Sequence, residues 1–365
     1  MRTAALLLLL TIPFPHTFAQ TPTPHTLTQN PTPLGICLEN YTYPFPVHYI
    51  TLRLQNEDLK MAYMDVQPTQ PNGHTVLLLH GKNFCGSYWG HTAQTLASKG
   101  YRVIIPDQIG FGKSSKPDHL QYSFQLLAQN TLAVLDSATS GHPTPAYPTT
   151  TQPTPAYPTT DHQPPTQKFI VIGHSMGGML ATRFTLMFPE KVERLILEDP
   201  IGLEDWKIKV PYQDVDAWYH NELGQTYASL KKYEMDSYFH GTWRPDYDSA
   251  LNIPAGWLLS PEYSRIAWNS ALCYDMIFTQ PVCYEFSQIK VPTLLLIGEL
   301  DRTALGKNLV PDSIRATLGN YPALGHQTQE KIPHCQLILL PGIGHVPHME
   351  DFEKFIPPVL EFLKG

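Results

Sequence analysis

The chain has 365 residues, 42% of them hydrophobic, which is enough for one large α/β domain or two ordinary ones around a sizeable core. Its net charge of −7 excludes the basic face with which nucleic-acid-binding proteins meet phosphate.

In chain order, the first segment is MRTAALLLLLTIPFPHTFAQ. Arg2 precedes an apolar run from Ala4 to Phe14, and Thr17-Phe18-Ala19 fits a small-x-small cleavage site. This is the pattern of a signal peptide over 1–19, cleaved after Ala19, and it predicts a secreted or periplasmic protein. The run is far shorter than the roughly 20 residues that span a bilayer as a helix, so no stable membrane insertion is expected after cleavage. Residues 20–44 read as a Pro/Thr-rich disordered lead-in with little to bury.

The strands VHYITLRL (47–54) and LKMAYMDV (59–66) are expected to form an antiparallel pair. After them, short continuous apolar runs at 76–81, 102–107, 168–173, 192–199, 292–298 and 335–342 suit strands covered on both faces. Helices are predicted near 88–99, 122–138, 177–188 and 352–363. This alternation implies an α/β fold, a mostly parallel eight-stranded sheet with helices on both faces.

Two stretches break the rhythm. Residues 142–167 carry PTPAYPTT twice, and their proline density forbids both helix interior and central strand, so they read as an extended solvated insertion. Residues 203–285 hold Trp206, Trp218, Trp243, Trp257 and Trp268, with no strong strand run, and read as a helical cap. The core is therefore expected over 45–202 and 286–365.

An oxidising compartment permits disulfides. Of Cys37, Cys85, Cys273, Cys283 and Cys335, the pair Cys273–Cys283 is the best candidate by proximity, and the odd count leaves at least one thiol free.

The chemistry centres on VIGHSMGGM, residues 171–179. A strand before and a helix after place Ser175 at a sharp turn, where Gly173 and Gly177 remove side chains that would collide, and Gly178 lets the helix approach the sheet. G-x-S-x-G in that setting is a nucleophile elbow. A serine hydroxyl needs a base, oriented by a carboxylate, in the chain order serine, acid, histidine. GELD after the strand 293–297 nominates Asp301, and GIGH after the strand 336–340 nominates His345. Glu299 and Asp199 are alternative acids; His348 and His334 are alternative bases. The oxyanion donors are expected to be the backbone N–H groups of Met176, which follows the nucleophile, and of Lys82 in HGKNF, with Asn83 next to it. The Lys82 side chain itself can be read as a solvated surface lysine.

Other patterns fail. FGKS at 111–114 lacks a P-loop because Asp107 stands where a glycine is required, GIGHVP lacks the third glycine of a dinucleotide fingerprint, and HVPH lacks an HExxH context. Neither cofactor nor metal is expected.

LLLHGKNF, PDQIGFGKS, GHSMGG, GELD and GIGH occur in this order at fitting intervals. Over residues 45–365 the chain resembles the α/β-hydrolase superfamily, in particular capped, esterase-like serine hydrolases. Epoxide hydrolases and haloalkane dehalogenases of this fold carry aspartate at the nucleophile position, which disfavours both. The resemblance implies that a small-molecule carboxylic ester is cleaved through an acyl-enzyme, with an apolar acyl or aryl group under the aromatic cap. The alternatives are a carbon–carbon bond hydrolase or aminopeptidase of the same fold, or a ligand-binding relative without catalysis. The oligomeric state is left open.

Overall fold

The computed structural model describes residues 31–140 and 167–365. The signal-peptide pattern and the repeat insertion, apart from its last residue Gln167, lie outside the described residues.

The apolar runs assemble into one eight-stranded sheet in the order β1-β2-β4-β3-β5-β6-β7-β8. Its strands are β1 (Val47–Leu54), β2 (Glu57–Val66), β3 (Thr75–Leu79), β4 (Arg102–Pro106), β5 (Phe169–His174), β6 (Val192–Glu198), β7 (Thr293–Gly298) and β8 (Cys335–Leu340). β2 pairs antiparallel with β1 and β4, and all other neighbours are parallel. β3, β5 and β7 are buried at every position, whereas β1 alternates buried and exposed residues. A central parallel strand is covered on both faces, while an antiparallel edge strand keeps one face in water.

The helices are α1 (Gly90–Ser98), α2 (Phe124–Ser140), α3 (Met176–Met187), α4 (Val215–Leu223), α5 (Tyr227–Ser237), α6 (Asp248–Leu258), α7 (Tyr263–Thr279), α8 (Asp312–Arg315), α9 (Tyr321–Lys331), α10 (Pro347–Glu350) and α11 (Phe352–Lys364). Successive side chains of a strand point to opposite faces. Accordingly Leu77, Leu79 and Val171 join Leu127 of α2 and Phe184 of α3 in one apolar cluster. Val76, Leu78 and Ile170 join Leu96 of α1 and Phe355 of α11 in another. Residues 203–285 contribute α4 to α7 and no strand.

Two expectations are corrected. The disordered lead-in does not extend to residue 44. Leu38 is fully buried, the Leu34 N–H donates to the Gly256 carbonyl at 3.1 Å, and the Trp257 indole donates to the Gly35 carbonyl at 3.1 Å. These partners lie more than 200 positions away, so local composition carries no trace of them. The Cys273–Cys283 disulfide is also absent, because all five cysteines are free thiols. Cys273 sits inside α7, six residues before its end, and a rise of ~1.5 Å per residue puts ~9 Å of helix between it and the turn that leads to Cys283.

The chain leaves α2 and re-enters at β5 on the edge where the parallel strands begin. Ser175 lies past the opposite edge, a strand length of ~17–20 Å away. Loop-closure entropy grows only ~0.6 kcal/mol per doubling of length. Replacing 142–166 with a short Gly/Ser linker is therefore expected to leave kcat/KM for a small ester within about threefold, roughly 0.7 kcal/mol of barrier. A hundredfold loss in a folded variant would place the insertion at the site.

Candidate active site

Ser175 occupies the turn between β5 and α3 with φ 55° and ψ −120°, a backbone that L-residues rarely adopt. The strain holds because the turn is crowded from every side. A Cβ on Gly173 would collide with the Gly177 carbonyl, and one on Gly177 would collide with the Leu79 carbonyl at the end of β3. A Cβ on Gly178 would strike Pro200 in the loop after β6, so that glycine accommodates a neighbouring loop.

His345 meets both expected partners. Its Nε2 lies 2.9 Å from the Ser175 hydroxyl and its Nδ1 lies 2.7 Å from Asp301 Oδ2. Asp301 and His345 are fully buried, and Ser175 is 7% exposed. The other Asp301 oxygen accepts the Thr303 N–H at 2.7 Å, which fixes the carboxylate plane.

The alternatives resolve on geometry. Glu299 is exposed, and its N–H pairs with the Leu340 carbonyl. His334 is exposed at the start of β8, on the opposite sheet edge. The two oxygens of Asp199 accept the Gly298 N–H at 2.8 and 3.1 Å, not the imidazole. Burial, and then the neighbouring Asp301 charge, push the Asp199 carboxyl well above the usual range. His348 is occupied elsewhere. Its Nδ1 lies 2.8 Å from Glu198 Oε1, and its ring stacks on Trp89 at 4.2 Å.

The expected oxyanion donors stand beside Ser175. The Met176 N–H opens α3, where an amide has no intrahelical acceptor. A Cβ on Gly81 would lie 3.2 Å from Ser175 Cβ, so the loop after β3 lies against the elbow. The Gly81 N–H is taken by the Tyr88 hydroxyl at 3.0 Å, which leaves the Lys82 N–H as the next amide along that loop. The Tyr88 hydroxyl also contacts His174 Nδ1 at 3.0 Å, and His174 Nε2 contacts the His345 carbonyl at 2.7 Å. One hydrogen-bonded chain thus links the loop, the elbow and His345. Burial, with the nearby His345 and His348, holds the His174 imidazole well below its ordinary pKa, so it is neutral.

The Lys82 side chain is not a solvated surface group. It is only 9% exposed, donates to the Ser270 hydroxyl at 2.7 Å and to Asn83 Oδ1 at 3.3 Å, and lies 3.3 Å from the centroid of the Tyr274 ring. The Asn83 amide donates to the Tyr238 hydroxyl at 2.7 Å. Tyr238 in turn stacks on the His345 ring at 5.1 Å, and its carbonyl accepts the His345 N–H at 2.8 Å. A cavity next to this contact is lined by Lys82, Asn83 and residues of α4 to α7, among them Glu222, Tyr233, Glu234 and Trp257. Sequence reasoning missed Tyr238 and Glu234; the density of aromatic residues over 203–285 was their only signal.

Glu234 is 2% exposed, and burial pushes its carboxyl up to about 8. A carboxyl raised in the folded state favours folding below its unfolded pKa near 4.5 and loses that contribution as pH climbs to about 8. Glu234→Gln is therefore expected to gain stability over the natural chain across that window, by on the order of 3–5 kcal/mol at pH 8 and little at pH 4. Urea midpoints at the two pH values check this; a pH-independent difference would contradict it.

Among the described residues, no cluster of histidine, cysteine, aspartate and glutamate has the geometry of a metal site. Sheet order, elbow and strand-end loops define an α/β-hydrolase. The chain belongs to the alpha/beta hydrolase fold family, whose model matches residues 74–352. It is 45% identical to a probable hydrolytic enzyme from Pseudomonas aeruginosa PAO1, with a TM-score of 0.82 over 91% of this chain and 98% of that one. It is 25% identical over 313 residues to Lipase 1 of Psychrobacter immobilis, covering 82% of this chain and 81% of the relative. It is 26% identical over 300 residues to Lipase 3 of a Moraxella strain, covering 80% and 77%. The chain is thus a member of a hydrolase family with lipase and esterase relatives.

Proposed function

We infer that the protein is an exported serine hydrolase that cleaves a small to medium carboxylic ester through an acyl-enzyme. The observation that carries this reading is the hydrogen-bonded line from Ser175 Oγ through His345 to Asp301, at 2.9 and 2.7 Å, on a strained elbow. Ser175 Oγ bonds to the ester carbonyl carbon while its proton passes to His345 Nε2. The carbonyl oxygen takes the negative charge and is stabilised by the Met176 and Lys82 amides. His345 then gives its proton to the leaving alkoxide as the carbon–oxygen bond breaks. A water molecule, deprotonated by His345, attacks the acyl carbon and releases the acid and free Ser175. Asp301 keeps the imidazole in the tautomer with Nδ1–H and stabilises its cation.

The lipase relatives support an ester over an amide, and the N-terminal pattern at 1–19 supports export. Hydrolysis of p-nitrophenyl butyrate, with a burst of p-nitrophenol equal to the enzyme concentration, is the expected result. Intact-mass detection of one acyl group on the Ser175 peptide accompanies it. A ligand-binding relative without catalysis would show neither. Sequencing the mature N-terminus from the periplasm or medium tests cleavage after Ala19.

A further inference from the structure

The cavity lined by Lys82 and Asn83 has a wall made by one face of α5. Leu230, Tyr233 and Glu234 line it at the i, i+3, i+4 spacing that places side chains together on a helix. Glu234 is almost wholly buried, and its Oε2 has no hydrogen-bond partner among the described residues. A buried polar group without a partner is costly, and a carboxyl especially so. The cavity's ammonium does not relieve it, because Lys82 Nζ is engaged by Ser270, Asn83 and the Tyr274 ring. A second carboxyl, Glu222, lines the same cavity, as do Trp257, Tyr263 and Tyr274.

The missing partner must be a donor or a cation. An anionic ligand would face Glu222 and Glu234. A wholly apolar ligand would leave Glu234 as unpaired as it is now. An ammonium group satisfies the carboxyl and benefits from Glu222, in a cavity whose Tyr274 and Trp257 rings already attract the Lys82 and Lys116 ammoniums. From this cavity we propose that the preferred substrates carry an ammonium group, on either the acyl or the alcohol side of the ester, seated against Glu234. The proposal rests on the ester-hydrolase reading above. Tyr238, the residue that follows the end of α5, stacks on His345, so the helix that carries Glu234 leads directly to a contact with the triad histidine. A nitrogen cation beside Glu234 favours the carboxylate, so the group that burial keeps protonated in the empty cavity ionises on binding.

Two isosteric pairs test it. On the acyl side these are the p-nitrophenyl esters of 4-(trimethylammonio)butanoate and 5,5-dimethylhexanoate. On the alcohol side they are butyrylcholine and 3,3-dimethylbutyl butyrate. The expected result is at least a tenfold higher kcat/KM for the charged member of one pair, which also tells which side of the ester enters the cavity. In Glu234→Gln that ratio falls to near one. Equal use of both members, or preference for the neutral ones, in both pairs would overturn the proposal. Calorimetric binding of butyltrimethylammonium to Ser175→Ala reads the cavity without turnover. Saturable binding, weakened at least tenfold by adding Glu234→Gln, is expected, and no binding would overturn the proposal. Binding without hydrolysis of any ester would instead overturn the hydrolase reading and leave the subsite standing.

Discussion

Ser175→Ala and His345→Ala should each lower kcat/KM for p-nitrophenyl butyrate by about 10⁴-fold or more, leaving the folded state in place. The serine variant removes the atom that bonds to the acyl carbon. The histidine variant removes the group that accepts the serine proton and later returns it to the leaving oxygen. Both act on one unit, so the double variant should be little worse than either single one; additive losses would mean that they act separately. Oxyanion donors and binding remain in each case, which is why the residual rate should still exceed that of water. Near-native thermal melts would assign the loss to chemistry. A His345→Ala variant within tenfold of the natural enzyme would remove His345 from its assigned role, and His348 is then the histidine to test.

Asp301→Asn should cost on the order of 10⁴-fold, whereas Asp199→Asn should cost less than about tenfold. The two carboxyls follow adjacent parallel strands, yet only Asp301 reaches His345 Nδ1, at 2.7 Å. An asparagine there keeps the shape, but it can present an N–H to the imidazole and so favour the wrong tautomer. It also removes the charge that stabilises imidazolium. Asp199 is different because burial, and then the charge of Asp301, push its carboxyl well above the usual range toward the neutral form, which the neutral amide resembles. Its hydrogen bonds, from the Gly298 N–H and with the Asp301 side chain, are ones that an amide can keep through its oxygen and its N–H. Initial rates of the two variants under identical conditions decide the matter. Loss of activity in Asp199→Asn with near-native activity in Asp301→Asn would reverse the assignment.

The sequence by itself determined every strand and four of the helices that cover the sheet, though not α9 or the bounds of α4 to α7, because continuous apolar runs report burial on two faces and punctuation by glycine and proline reports where the chain must turn. It also determined the elbow, since small residues on both sides of Ser175 are the only way to place a serine at so tight a turn. Ser175, Asp301 and His345 were legible for a related reason: each follows a strand, and parallel strands deliver their ends to one edge of a sheet. Tertiary structure decided what depends on side-chain direction and distant partners. Asp199 and Asp301 occupy equivalent strand-end positions, and only the approach of the His345 loop separates the carboxyl that meets His345 from the one that accepts the Gly298 N–H. His348 was separated from His345 by Glu198 and Trp89, which arrive from other elements. Burial of the Lys82 side chain depends on Ser270 and Tyr274, nearly 190 positions downstream. The packing of residues 34–44, the free thiols at Cys273 and Cys283, and the unpaired carboxyl of Glu234 are likewise set by contacts between segments far apart in the chain. Local periodicity encodes which face of an element is buried, but not which other element buries it.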